Sequence, residues 1–380
     1  MRARSALFGI TVPVLAFAQE PLRLTRPDAA FGEPFTLVAS VRELRDGRVL
    51  VLDRRDRIVL LVDFRSGKAT AVGREGTGPG EYSQPGRLFP LPADTTAIYD
   101  GPARRFVIIE PNGKTGADFR MDVATGVGQR RGGVPKFSDG QGRIFTEGSP
   151  YATEPVMAAA DSAAITRFAR GAERGDTVAW VRLDKETVQI RNMPEGGVSV
   201  SNGIRAFAWR DDWVALPDGG VAVVRAADYH VDWFSPSAVR TAGRAVATPR
   251  IVVTDSDKEN ARKERLAAMR SATPRGRPGT APSSLPNDFR GLPELTFPAF
   301  KPPFEMGKTV VRPNGEVWVL RSRAANDRVA MYDVFTRSGG HVRRVAFPPA
   351  TELIGFGKDA AYTIRLDDDD LQYLERWRVP

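Results

Sequence analysis

A short unit recurs along this chain and limits the architectures open to it: a polar turn, a nearly continuous apolar run of strand length, a second turn and a second apolar run. It reads Asp46-Gly47 before residues 49–52 and 58–62, then Ala93-Asp94 before 97–99 and 106–109. A weaker third copy sets 139–142 before Ile144-Phe145 and takes 177–183 as an outer strand. The fourth has Asp218-Gly219 before 221–224 and 231–234, and the fifth Asn314-Gly315 before 317–320 and 329–334. The sixth has Lys358-Asp359 before 361–364 and 371–377. Gly, Asp and Asn bound the runs and β-branched residues fill them, which is hairpin chemistry.

Runs that are apolar on both faces need cover on both sides. Radially packed blades supply it, because each lies between two neighbours and only short edges stay exposed. A β-sandwich is the competing arrangement, but its strands alternate more cleanly. The expected fold class is all-β, a single six-bladed β-propeller over 19–380. The markers Asp46, Asp94 and Gly142 are 48 residues apart, within the roughly 40–50 of four-stranded blades. The next intervals, 76 and 96 residues, call for insertions.

One insertion, helical and then proline-rich, spans 255–303. Residues 256–270 read as a helix, with Ser256 and Glu259 as a capping box and Glu259 one turn from Lys263. Residues 271–303 hold eight prolines, which exclude regular ladders. Lys258, Arg262 and Arg265 share a helix face, and Leu266 and Met269 form a narrow apolar stripe. The segment reads as a solvated insertion resting on the rim or, functionally, as a docking arm or a lid over the channel.

The ends give an address. Arg2 and Arg4 precede an apolar stretch, 5–17, and Ala16-Phe17-Ala18 is a small-x-small cleavage site, so 1–18 read as a secretory signal peptide. The stretch is thirteen residues long and carries Pro13, whereas a bilayer span needs about 20; a retained anchor is the poorer reading. The expected location is periplasmic or extracellular, with no transmembrane segment in the mature chain. With no cysteine, stability must come from burial. The net charge of +9 raises nucleic acid as a partner, but the arginines are scattered among 46 acidic residues and form no basic run. No nucleic-acid role is expected.

The first copy ends in Val72-Gly73-Arg74-Glu75-Gly76-Thr77-Gly78-Pro79-Gly80-Glu81-Tyr82, with Pro85 close behind. This run resembles the G-R-x-G-x-G-P-G-E-[FY] signature of bacterial exported six-bladed β-propellers related to NHL-repeat proteins. Gly315-Glu316-Val317-Trp318-Val319-Leu320, Gly355-Phe356-Gly357 and residues 371–377 are similar to the last blades of that group. The resemblance implies the fold and the exported address, and no activity. Gly73, Arg74, Gly76, Gly78, Pro79 and Gly80 read as a blade connection, with Gly76, Gly78 and Gly80 free to take positive φ and Pro79 stiffening the crossing. The run lacks a Gly-Lys-Ser/Thr ending and precedes no helix, which argues against a phosphate loop. Residues 22–25 are expected to close the ring beside the last strand.

Catalytic constellations are scarce. His230 and His341 fall in different copies, and there is neither a cysteine nucleophile nor a G-x-S-x-G elbow. The acids 367–370 lack the alternating spacing of a calcium loop and read as a solvated hairpin tip. The tryptophans read as core, with Trp209 and Trp213, which flank Asp211-Asp212, the pair most open to exposure. The function expected is an exported non-enzymatic scaffold that binds a protein, as a peripheral subunit of an envelope or membrane complex. Lys258, Arg262, Arg265, Trp209 and Trp213 are its candidate contacts. The alternative is a metal-dependent hydrolase or lyase resembling propeller lactonases, with a single divalent ion at the channel; Asn202 and isolated acids are all it can draw on. No cofactor is expected otherwise.

Overall fold

The computed structural model describes residues 20–121, 133, 135–148, 161–172, 174–184, 188–192, 198–202, 205–272 and 295–380, of which 188–192 and 198–202 are described in backbone only. The signal-peptide reading at 1–18 and residues 273–294 of the proline-rich stretch lie outside them. Six sheets follow one another along the chain, each built on consecutive antiparallel strands, and the last two each take one further strand from the N-terminal segment. The first runs through Val38–Glu43, Val49–Asp53, Ile58–Asp63 and Lys68–Ala71. The opening strands of the later sheets are Pro85–Pro90, Pro135–Ser138, Asp212–Ala215, Phe304–Val311 and Thr351–Phe356. These six opening strands touch in succession, and the sixth returns to the first. The protein is a six-bladed β-propeller, and they line its channel.

Packing between blades explains why the sequence pattern has no polar face. Val49–Asp53 is buried along its whole length. Leu50 and Leu52 pack with Leu88, Ile98 and Val107 of the second blade, while Val49 and Val51 pack with Tyr362, Ile364 and Leu374 of the sixth. Alternate side chains of one strand thus serve two cores. The runs read from sequence are the middle strands of each blade, and the 177–183 run is the outer strand Asp176–Arg182 of the third.

The innermost strands are irregular. In the first, second, third and sixth blades the pairing shifts by one residue near the start, at Val38/Ser40, Pro85/Arg87, Pro135/Phe137 and Leu353/Gly355. In the fifth, Phe304 pairs with Arg321 and Thr309 with Val319, so residues 305–308 stand opposite Leu320 alone. A bulge of this size bends the strand and re-aims its side chains toward the channel mouth.

Closure corrects one expectation. Ala29–Ala30, and not 22–25, pairs with the last strand Gln372–Arg378, while Leu22–Arg23 runs parallel to Gly340–Pro349 on the fifth blade. Two insertions account for the wide intervals: a hairpin, Val188–Asn192 with Val198–Asn202, and helix α1, Asp255–Ala272. The cap of α1 lies upstream of the expected one. Thr254 Oγ1 accepts from the Asp257 amide (3.3 Å) and the Thr254 amide donates to Asp257 Oδ2 (2.9 Å), a reciprocal box two residues earlier. Among the described residues no helix is long and apolar enough to cross a membrane.

Candidate functional site at the channel mouth

An acid that ends the second strand in each of the first three blades marks the site where its bonding changes. Asp53 and Asp100 end the second strands of their blades, and each turns its carboxylate on the chain entering the innermost strand. Asp53 accepts from the Thr36 and Leu37 amides, and Asp100 from those of Ser83 and Gln84. The third member of the series, Glu147, ends the same strand of the third blade but faces side chains. It accepts from Lys136 Nζ (2.6 Å), an Arg210 guanidinium nitrogen (2.5 Å) and Trp213 Nε1 (2.7 Å). Burial works to raise its pKa, but Lys136 and Arg210 prevail and hold it below the usual carboxylate range.

Beside it the fifth-blade bulge meets the fourth blade. Asp212 Oδ2 accepts from the Gly307 amide (3.1 Å) and Thr309 Oγ1 (2.6 Å), and burial pushes its carboxyl above the ordinary value. Gly307 has φ +71°, a left-handed conformation open to glycine. The bulge also presents Glu305, bonded by Arg323 Nε at 2.9 Å, and Lys308, paired with Glu352. Burial raises the Glu305 carboxyl, and Arg323 offsets this only in part.

Arg210, Glu305, Arg323 and Glu352 line a cavity of about 790 Å³. Further walls come from Met306 of the fifth-blade bulge and from Leu366 at the end of the sixth blade's second strand, and Asn260 and Glu264 of α1 form one side. The helix is fixed there by a buried ion pair, Asp257 with Lys301 Nζ at 2.6 Å, both under a tenth exposed. Lys301 Nζ also donates to the Arg323 carbonyl and lies 4.8 Å from the centre of the Phe207 ring. Burial opposes ionisation of Asp257, but its bonds from Lys301 and Thr254 win and lower its pKa.

The expected site residues scatter around this region. Trp213 is 1% exposed and Trp209 half-buried, its indole donating to the Phe300 carbonyl, so neither offers an open stacking face; the exposed tryptophan is Trp180, at 56%. Lys258 pairs with Asp255, Arg262 lies over Phe297, and Arg265, like both, is half-buried. The exposed side of α1 carries Glu259, Lys263 and Glu264. His341 bonds Asp333 at 2.9 Å and His230 sits between Asp228 and Asp232, each within its own blade. Among the described residues no group of three or more His, Cys, Asp or Glu is placed to hold a metal.

The glycine run joins the first two blades. Gly73 and Gly80 take positive φ; Gly76 and Gly78 do not, and are glycine for another reason. The Glu81 carboxylate folds over them, accepting from the Gly78 amide (2.9 Å) and Arg74 Nε (2.6 Å), and a Cβ on Gly76 would fall 2.0 Å from it.

No protein-family model matches the chain, and no curated protein matches it in sequence. Solved structures are similar to it over most of its length. An exported protein from Bacteroides fragilis is 11% identical, with 94% of each chain covered and a TM-score of 0.42. A virginiamycin B lyase from Staphylococcus aureus is 10% identical over 95% of this chain and 99% of its own, with a TM-score of 0.41. A gluconolactonase from Xanthomonas campestris is 11% identical over 94% and 96%, with a TM-score of 0.40.

Proposed function

We propose that the protein is an exported, non-enzymatic propeller that binds a protein partner, as a scaffold or as a peripheral subunit of an envelope complex. The observation that carries this reading is the mounting of α1: a buried ion pair fastens the insertion to the rim, and a charged side is left facing solvent. A merely tolerated insertion needs no buried anchor, whereas a docking element gains from being held in one orientation before it binds. The exposed Glu259, Lys263 and Glu264 form the contact, with Lys258, Arg262 and Arg265 along its edge. The acids at the channel mouth support binding over catalysis, since Glu147 and Asp212 are engaged by hydrogen-bond donors.

The test is affinity purification of the tagged protein from its native cell envelope, beside a variant combining Glu259→Lys, Lys263→Glu and Glu264→Lys. The wild type should recover a partner in stoichiometric amount and the variant should lose it. Equal recovery by both removes the role given to the helix. Recovery of the propeller alone from the wild type overturns the scaffold reading.

Glu305 favours a second reading, a hydrolase or lyase acting in the cavity, because a carboxyl with a raised pKa suits proton transfer. In its metal-dependent form this reading predicts one tightly held divalent ion in the native protein and activity lost on chelation; a metal-free, inactive native protein counts against it.

A further inference from the structure

The six innermost strands carry eight charged residues: Arg42, Glu43, Arg87, Lys136, Asp212, Glu305, Lys308 and Glu352. Seven have a polar partner. Arg42 bonds Asp94, Glu43 accepts from Tyr362, Lys136 pairs with Glu147, Asp212 holds Thr309, Glu305 meets Arg323, and Lys308 pairs with Glu352. Arg87 has no hydrogen-bond acceptor or carboxylate in contact among the described residues. Its guanidinium reaches from the second blade across the third, 4.7 Å from the centre of the Phe137 ring, and is exposed to the channel. Asp212 of the fourth blade is close enough to act on it electrostatically, but that carboxylate is occupied by Thr309 and the Gly307 amide. Lys136, the residue before Phe137, shares the single carboxylate of Glu147 with Arg210.

We propose that Arg87 is an anion site inside the channel, taking the carboxylate of a small organic acid. Phe137 covers one face of the guanidinium and leaves its N–H edges to the channel, where a planar carboxylate accepts two parallel bonds. This site is distinct from the helix surface proposed above for a protein partner.

Calorimetric titration at constant ionic strength with succinate, acetate and inorganic phosphate tests it. Succinate should bind the wild type, and Arg87→Gln should weaken binding about tenfold or more. Arg87→Lys, which keeps the charge and loses the fork, should fall between them. A helix variant combining only Glu259→Lys and Lys263→Glu, which lie outside the cavity wall, should bind succinate as the wild type does, which separates this site from the docking role. In the unaltered protein, succinate should protect Arg87 from modification by phenylglyoxal, read by peptide mass spectrometry, whether or not the variants fold. Equal binding by wild type and Arg87→Gln, absence of binding by all three anions, or binding of phosphate without succinate each overturns the proposal.

Discussion

Glu147 and Asp212 lie in adjacent blades, and their surroundings shift the two carboxyls in opposite directions from the ordinary value. Glu147 is held below the usual carboxylate range, so its contribution to stability is present above that range and lost as pH falls through its folded value. Glu147→Gln should cost about 1.5–3 kcal/mol at pH 7, the worth of bonds to a charged group, and flatten the acid limb of the stability curve. The raised carboxyl of Asp212 works the other way: the folded state holds its proton more tightly, so stability falls as pH rises from the unfolded value through the folded one. Asp212→Asn keeps an acceptor for Thr309 and should be as stable as wild type at pH 7, or more so. Urea titrations of both variants across pH 3–8 check the pair, and parallel curves for the two would refute the assignment. Glu147 was legible in principle, since Asp53, Asp100 and Glu147 recur at a fixed interval of 47 residues. Asp212 and Arg87 were not, because their roles depend on which blades face one another across the channel.

Between residues and the whole lie the strands and the one helix. The middle strands were readable because cores on both sides demand unbroken apolar runs. The innermost strands were not, because bulges break their period and channel walls admit Arg87, Lys136 and Glu305 among apolar neighbours. The helix was legible to within two residues at each end, and the Glu259 and Lys263 pair forms at 3.6 Å, but a shorter acid, Asp257, takes the capping position. That acid also binds Lys301. Lys301→Met strands a buried carboxylate, a loss of roughly 3–5 kcal/mol where the structure cannot relax; α1 can relax by lifting from the rim. Hydrogen exchange should therefore accelerate across 255–272 and stay unchanged in the fourth and fifth blades. Unaltered exchange in α1 would show that the ion pair does not hold the helix.

At the scale of the molecule, the ring was legible as a count of hairpins, while the strand that closes it was not. Ala29–Ala30 is two residues long and carries no periodic signal; neighbouring Phe31, 2% exposed and packed with Phe35 and Tyr362, supplies the apolar anchor. Deleting 20–31 should leave the sixth blade with three strands and an open edge. Loss of the Phe31 side chain alone is worth about 3–5 kcal/mol. A lower melting temperature with self-association on size exclusion is expected, and an unchanged monomeric melt would deny the closing role. The same pairing orders events in time. Ala29 meets Arg376, 347 residues further on, so early and late chain must coexist before the circle shuts. Until Gln372–Arg378 is free to pair, whatever precedes it remains an unfinished arc, and the arrival of that strand is the event that permits the closed form.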